Sequence, residues 1–323
     1  MNSPAKCKNR KDYFMNKRLM LLGAVFAMSA MLLAGCGSKT TPASQKSTET
    51  EMTQDIKEDS MEASDPIPLT YSFLYDDGTK EEVRNIMEAD GIKPERVDKF
   101  MEIVTQFSDT LGEMEGAAEG FVSIDASKAF YDSEYIGMTF DKKLGFDDQN
   151  CRLTAYSLFQ DFYTVSDDST YTYDDDSLYG DLEIIKTNKN LNFTKEDISK
   201  YTTLFADVKT EASTDIAQHA ETIKETWKER GITFDNESKV QLLSIMLHDP
   251  VNNTVFAGHA GVLFETEDGF LVIEKRSQYT PFVAGKFNDL ESLNTYLLSE
   301  VSIMQQDGAA DSFVMRNDEL LVK

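Results

Sequence analysis

Residues 240–275 read VQLLSIMLHDPVNNTVFAGHAGVLFETEDGFLVIEK, and this stretch decides the fold class. Its runs of Val, Leu, Ile and Phe are separated by turn-forming residues at 249–253 and 267–269. The pattern predicts three strands, over 240–247, 255–265 and 270–275. Because both connections are short, we expect the strands to pair antiparallel.

Helical patterns dominate the residues before this sheet. Apolar residues at helical spacing and residues that cap helix N-termini predict helices over 79–87, from Pro94 through Phe107, from Cys151 to about 165, from near Thr194, and over about 214–230. A last helix should begin at Asn288, and the tail from Ser312 to Val322 should form a hairpin that turns at Asn317-Asp318. The predicted class is α+β: a helical N-terminal half, with one helix opened by Cys151, followed by an antiparallel sheet.

The first 35 residues have the layout of a secretory signal peptide. Six basic residues stand against one acidic residue, Asp12, and residues 19–35 carry no charge. The run ends on Leu33-Ala34-Gly35-Cys36, which resembles the lipobox of bacterial lipoproteins. We therefore expect residues 1–35 to be removed, Cys36 to carry lipid, and that lipid to anchor the protein to the outer face of the cytoplasmic membrane. A retained membrane-spanning anchor is the alternative, although this uncharged run is at the short limit for crossing ~30 Å of hydrocarbon.

Composition divides the remaining chain into two parts. Residues 36–65 contain the lipidated cysteine and a polar stretch rich in Ser, Thr, Lys and Glu, which predicts a disordered tether. Aromatic and aliphatic residues return at Pro66, so residues 66–323 should form a single globular α+β domain.

The charge of the chain excludes one class of partner. The formal net charge is −25, and removing residues 1–35, which carry +5, leaves about −30. A surface this acidic repels nucleic acid and anionic headgroups, so we expect no nucleic-acid role and membrane attachment only through the lipid on Cys36. Motifs for phosphate or zinc binding are missing from the sequence, which predicts no cofactor and no metal. The acidic run around Asp167-Asp168 and Asp174-Asp175-Asp176 is read as a solvated loop rather than a calcium site.

Removal of the signal peptide and lipidation of Cys36 would leave Cys151 as the single free thiol. It follows Asn150 and opens a helix, where the positive end of the helix dipole favours a thiolate. A cysteine nucleophile needs a lowered pKa of this kind. The alternative is a small buried hydrophobe, because residues 151, 155, 158 and 162 share one helix face.

Three histidines are available as partners for this thiol. His219 lies beside an apolar helix stripe and is expected to be half-exposed, while His248 is expected to be a turn residue. His259 lies between Gly258 and Gly261 inside a strand, where missing side chains allow another group to approach closely. It is the best candidate for a base.

A third site residue follows from strand register. If the turn before strand 270–275 has two residues, Asp268-Gly269, or four, 266–269, His259 and Glu274 fall on the same face. A three-residue loop places them on opposite faces. In the favourable registers Glu274 would orient the imidazole of His259. The alternative is that Glu274-Lys275-Arg276 is a charged strand end at the solvent edge.

Several separated stretches resemble one bacterial lipoprotein family, the domain of unknown function 4300 family. They are Asn150-Cys151-Arg152, the run FAGHAGVLFETEDGFLVIEK around His259, and PFVAGKF before a Leu-rich helix. The resemblance covers most of residues 66–323. It implies a surface location and names no activity.

The order of site residues also resembles the NlpC/P60 and papain-like cysteine peptidases, in which a cysteine opens a helix and a histidine lies on a later strand. This sequence departs from them in three ways. It has Asn150-Cys151-Arg152 in place of Asp-Cys-Ser, and 108 residues separate Cys151 from His259. No upstream glutamine stands at papain's position, since Gln149 is too close to Cys151 to be equated with it.

Two functions follow from these residues. The first is a surface-anchored cysteine hydrolase or amidase acting on cell-wall peptides, with Cys151 as nucleophile, His259 as base and Glu274 as orienting residue. The second is a non-catalytic surface lipoprotein that binds a wall component, a small ligand or a partner protein. In the second case Cys151 serves packing alone.

Overall fold

The computed structural model describes residues 66–323, except 129, 170, 174–176, 302–303, 305 and 322–323. The signal peptide, the lipidation of Cys36 and the tether therefore lie outside the described residues. Glu62–Lys323 forms one compact unit of the chain. Within the described part, no helix is both long enough and apolar enough to cross a bilayer.

The predicted α+β class is confirmed. The described residues contain eight α-helices: α1 (Asp77–Ala89), α2 (Pro94–Leu111), α3 (Ser133–Lys143), α4 (Cys151–Phe159), α5 (Tyr179–Thr187), α6 (Lys195–Phe205), α7 (Ile216–Glu229) and α8 (Leu290–Val301). Helix α2 begins at its proline, as expected, because proline lacks the N–H that a helix start leaves unbonded. Helix α6 begins with a complete capping box between Thr194 and Asp197.

The strands are β1 (Pro68–Ser72), β2 (Val122–Asp125), β3 (Tyr163–Val165), β4 (Val208–Lys209), β5 (Ile232–Phe234), β6 (Val240–Asp249), β7 (Thr254–Thr266), β8 (Gly269–Glu274), β9 (Val283–Phe287), β10 (Phe313–Arg316) and β11 (Glu319–Leu320). Nine of them form one sheet in the order β11-β10-β6-β7-β8-β9-β1-β2, with β4 also paired to β7. Strands β3 and β5 form a separate two-stranded ribbon. The strand pairings within the described part of the chain are all antiparallel.

The strands β6, β7 and β8 confirm the meander that the sequence predicts. Glu265 pairs with Phe270, the register of a four-residue connection, and a further pair between Thr266 and Gly269 tightens it. Gly269 has a φ of 133°, which favours glycine at this turn. The hairpin of β10 and β11 turns at Asn317, as expected, with a φ of 50°.

Two helix boundaries differ from the sequence prediction. Helix α4 ends at Phe159 instead of near residue 165, because Tyr163–Val165 pairs with Ile232–Phe234 as β3. Helix α1 is capped by Asp76, whose carboxylate accepts the N–H of Thr79, and not by Thr79 itself. In addition, β1, β2 and β3 place strands in the half of the domain that was expected to be helical.

Hydrophobic clusters cover both faces of the central sheet. On one face, Leu242, Val262 and Ile273 pack with residues of helices α1 to α7. On the other face, Leu263 and Val272 pack with residues of α8. Because both faces of the sheet are covered, β6 is buried at nearly every position instead of alternating between buried and exposed residues. Helix α4 lies on the first face, where it contacts β7.

Candidate active site

The candidate nucleophile stands at the start of α4. Asn150 has an extended backbone, and its side chain accepts the N–H of Leu153 at 3.0 Å. Cys151 is therefore the first residue of the helix, as the sequence predicts. Its thiol lies at the end where the unpaired N–H groups and the helix dipole favour negative charge.

A gap in the edge of β7 receives this end of α4. On that edge, β4 pairs with Thr254 and Val255, and β8 pairs from Gly261 onward. Among the described residues, no strand pairs along this edge with the part of β7 in between, which contains His259; β6 pairs along the other edge. Arg152 donates to the carbonyl of Ala257 at 2.9 Å and so satisfies part of the open edge.

Gly258 fits the close packing in this gap. A Cβ atom at this position would lie 2.3 Å from a methyl carbon of Leu247. The strand pairing of β6 and β7 also shifts register here, between Ile245 and Met246. The glycine thus permits a bulge that sets the position of His259.

His259 and Glu274 meet on one face of the sheet. The register pairs Gly261 with Glu274, which places the carboxylate beside the histidine two residues earlier. His259 Nε2 donates to Glu274 Oε2 at 2.5 Å. The other carboxylate oxygen accepts a hydrogen bond from the hydroxyl of Tyr296 in α8. Both oxygens of a buried carboxylate are therefore bonded.

The structure also brings Cys151 to His259. Burial opposes ionisation of the thiol, but the hydrogen bond to His259 and the charges of His259 and Arg152 outweigh burial and lower the pKa of Cys151. Burial likewise opposes protonation of the imidazole, yet the hydrogen bonds with Cys151 and Glu274 raise the pKa of His259 to about 9. The two shifts favour a thiolate beside an imidazolium.

The carboxylate of Glu274 is the third charged group in the site. Burial would raise the pKa of Glu274, but the hydrogen bond and charge of His259 lower it, with smaller effects from Arg276 and Tyr296. An ionised carboxylate stabilises the imidazolium and holds its ring orientation. The arrangement therefore contains the side chains that could serve as a nucleophile, a proton carrier and an orienting group.

Asp181 fixes the first turn of α4 from outside the predicted site. Its carboxylate accepts from Asn150 Nδ2 at 2.5 Å, from Arg152 Nε at 2.7 Å and from the hydroxyl of Tyr201. Only 3% of Asp181 is exposed. Sequence reasoning missed this residue because it lies in α5 and its partners come together only on folding.

Glu274 and Lys275 are buried, which is incompatible with the alternative of a solvent-exposed strand end. Lys275 has no exposed surface and lies over the rings of Phe107 and Phe282, with Nζ 4.2 and 4.5 Å from their centroids. Its Nζ is 3.1 Å from Asp148 Oδ2 and also donates to the carbonyl of Thr280. Burial lowers the pKa of Lys275, and Asp148 partly opposes the effect.

The other two histidines form a separate buried pair, which corrects both expectations for them. His219 is fully buried rather than half-exposed; its Nε2 donates to the Ser213 carbonyl at 2.8 Å, and its Nδ1 bonds the Thr210 hydroxyl at 2.8 Å. His248 lies in β6 rather than in a turn and accepts the N–H of Ala310 at 3.0 Å. The two ring centroids are 4.5 Å apart.

The candidate site is closed to solvent. Cys151 is 4% exposed, His259 3% and Glu274 1%. Two surface cavities lie elsewhere: one of about 700 Å³ along α1 and α2, and one of about 380 Å³ between α2, α4 and α6. Neither is lined by the three candidate residues.

Metal-binding clusters are not found in the part of the chain that the structure describes. Among those described residues, no group of three or more His, Cys, Asp or Glu side chains could hold a metal ion. Asp174, Asp175 and Asp176 of the acidic run lie outside the described residues.

Comparison with known proteins identifies one family. A family model described as "Domain of unknown function (DUF4300)" matches residues 70–321. No curated protein and no solved structure matches the chain. The match spans the sheet, the helices around it and all three candidate residues.

Proposed function

The chain belongs to the DUF4300 family, and we propose that this member is a lipid-anchored cysteine hydrolase or amidase that cleaves amide bonds in cell-wall peptides. In this proposal Cys151 is the nucleophile, His259 is the general base and acid, and Glu274 orients His259. Lipid on Cys36 holds the domain at the outer face of the cytoplasmic membrane.

One observation supports the proposal above the others. The single described cysteine interacts with the imidazole of His259, which is itself held by the buried carboxylate of Glu274. A merely structural cysteine would be buried in apolar surroundings, which raise a thiol pKa. Here the pKa of Cys151 is lowered despite burial.

The proposed reaction starts from the thiolate of Cys151 and the imidazolium of His259. The thiolate attacks the amide carbonyl carbon, a C–S bond forms, and the π electrons move to oxygen. When this intermediate collapses, the C–N bond breaks and the imidazolium gives its proton to the leaving amine. The neutral imidazole then takes a proton from water, whose attack on the thioester releases the carboxylic acid and restores the thiolate beside the imidazolium.

Substrate entry requires movement of the residues that cover the site. With Cys151 only 4% exposed, a peptide reaches the sulfur after local opening of the surrounding packing. Closure around a bound peptide would exclude water and strengthen the electrostatic interactions inside.

Replacing Cys151 by Ala tests the nucleophile. Full-length protein is incubated with purified peptidoglycan, and newly released amino groups are measured. We expect Cys151→Ala to abolish release while the variant still folds and unfolds cooperatively, because only one sulfur atom is lost from the core. Release at the wild-type rate would contradict the proposal. Cys36→Ser is the matched control, since it removes the lipid site and leaves cleavage in solution unchanged.

The second candidate function is a non-catalytic surface module. The closure of the site favours it, because a binding module needs no access to Cys151. Labelling of the native protein with iodoacetamide separates the two. Rapid reaction near neutral pH favours the hydrolase, whereas protection of Cys151 until the protein is denatured favours the module.

A further inference from the structure

Gln149 is a buried amide without a partner. It has no exposed surface, and neither its Nε2 nor its Oε1 makes a hydrogen bond within the described part of the chain. Burying an amide without hydrogen bonds costs free energy, so such groups are rare in folded proteins. An unmet donor close to a reactive residue is a candidate for contact with substrate.

The backbone directs the side chains of Gln149 and Cys151 to the same side of the chain. Asn150 has φ −97° and ψ −170°, an extended conformation in which the residues on either side point to the same side of the chain. The Asn150 side chain turns toward Asp181 and Leu153. Gln149 and Cys151 therefore share the opposite side.

The segment that carries Gln149 is held firmly. Asp148 Oδ1 accepts the backbone N–H of Gln149 at 2.8 Å. The other oxygen of Asp148 pairs with the fully buried Lys275, the residue that follows Glu274. Two consecutive residues thus fix both halves of the site: Glu274 fixes the base, and Lys275 fixes the residues before the nucleophile.

A second donor is available at the same place. The backbone N–H of Cys151 belongs to the first residue of α4, which has no acceptor within its own helix. Acyl transfer through a tetrahedral intermediate needs preformed donors at the carbonyl oxygen, where negative charge develops.

We propose that the side-chain amide of Gln149, together with the backbone N–H of Cys151, binds the oxyanion of the tetrahedral intermediate. The inference rests on the proposed function and adds a catalytic residue to it. When the thiolate adds to the carbonyl carbon, the displaced electron pair on oxygen accepts hydrogen bonds from Gln149 Nε2 and Cys151 N. On collapse the C=O bond re-forms, the amine leaves with the proton of His259, and both donors are released.

Two probes of the same thiol separate an oxyanion role from a structural one. The thiolate of Cys151 adds to the aldehyde N-acetyl-alaninal and forms a tetrahedral hemithioacetal, whose oxygen takes the position of the oxyanion. Iodoacetamide alkylates the sulfur by displacing iodide and forms no oxyanion. We expect Gln149→Met, which keeps the side-chain volume, to weaken aldehyde binding by about 10²-fold or more. The alkylation rate should stay within about twofold of wild type, because the thiol pKa depends on His259.

Matched variants control for burial and folding. Gln241→Met replaces another buried glutamine, one whose Oε1 also lacks a partner, and should change neither probe. Gln149→Leu also removes the donors and adds no charge, so it should lose aldehyde affinity as Gln149→Met does. It provides a second variant if Gln149→Met does not fold.

The outcomes distinguish this inference from the proposed function. If aldehyde binding is unchanged in both Gln149 variants, or falls only in parallel with alkylation, Gln149 is structural and the inference is overturned. Abolished peptidoglycan cleavage in Cys151→Ala would leave the proposed function standing in that case. A wild-type protein that binds no aldehyde and releases no amino groups from peptidoglycan overturns both.

Discussion

The imidazole of His259 interacts with both Cys151 and Glu274. Each interaction shifts the pKa values of the two groups that it joins. Glu274 stabilises the protonated ring, and the protonated ring stabilises the thiolate of Cys151. The lowered thiol pKa therefore depends on a carboxylate that acts on the sulfur through the imidazole. Glu274 is a positioning residue in this sense.

Replacing Glu274 by Gln tests this dependence. The neutral amide keeps the shape and removes the charge, so the pKa of His259 should fall from about 9 and the pKa of Cys151 should rise. We expect peptidoglycan cleavage to slow by about tenfold or more. Cleavage rate and the ultraviolet absorbance of the thiolate are both measured against pH. Tyr296→Phe is the control, because it keeps the carboxylate and removes one hydrogen bond, and its effect should be smaller. Wild-type values in Glu274→Gln would contradict the proposed role.

The sequence identifies some site residues and misses others for a physical reason. Cys151 is marked by a predicted helix start, and His259 is marked by flanking glycines. A hairpin turn with an even number of residues places Glu274 on the same face of the sheet as His259. Tyr296 and Asp181 have no such signal, because their contacts depend on how α8 and α5 pack. Gln149 was set aside on spacing alone, and only its burial without a partner points to a role.

At the scale of elements, the first turn of α4 positions the thiol. Asn150 caps the helix, and the same side chain donates to Asp181. The cap thus serves both the stability of the helix and the placement of Cys151 against the gap in β7.

Replacing Asn150 by Ala separates these two effects. Loss of an N-cap costs about 1 kcal/mol of stability, and loss of the bond to Asp181 should loosen Cys151 and raise its pKa. Thr194→Ala removes the N-cap of α6 and is the matched control. We expect similar losses of unfolding free energy in denaturant titrations and a changed thiol pKa only in Asn150→Ala. An unchanged thiol pKa in Asn150→Ala would show that the cap does not position the sulfur.

The sequence predicts local elements better than distant pairings. Strands β6 to β8 follow one another through short turns, so their pattern and register are predictable. Strand β1 pairs with β2 and with β9, which lies about two hundred residues further along the chain. Nothing in the local pattern of residues 68–72 indicates those partners, and the same holds for the ribbon that ends α4 early.

At the scale of the whole molecule, folding joins two regions that are 108 residues apart, one carrying Cys151 and the other His259. The interaction between the thiol of Cys151 and the imidazole of His259 makes the free energy of unfolding depend on pH. A lowered thiol pKa adds stability that is complete above the ordinary value of 9.0 and is lost as the pH falls through the folded value. A raised imidazole pKa adds stability that is complete below 6.5 and is lost as the pH rises through about 9. The ion pair is therefore intact between the lowered thiol pKa and about pH 9.

The most direct test is a pH titration of thiolate absorbance in the native full-length protein, with the same titration of Cys151→Ala subtracted to remove Cys7 and Cys36. If folding places Cys151 next to a protonated His259, the thiolate absorbance that remains after subtraction should appear well below pH 9.0. In denaturant its midpoint should shift to about pH 9.0. A native transition at 9.0 or above would show that the thiol is an ordinary buried cysteine and would contradict the ion pair on which the proposed catalysis depends.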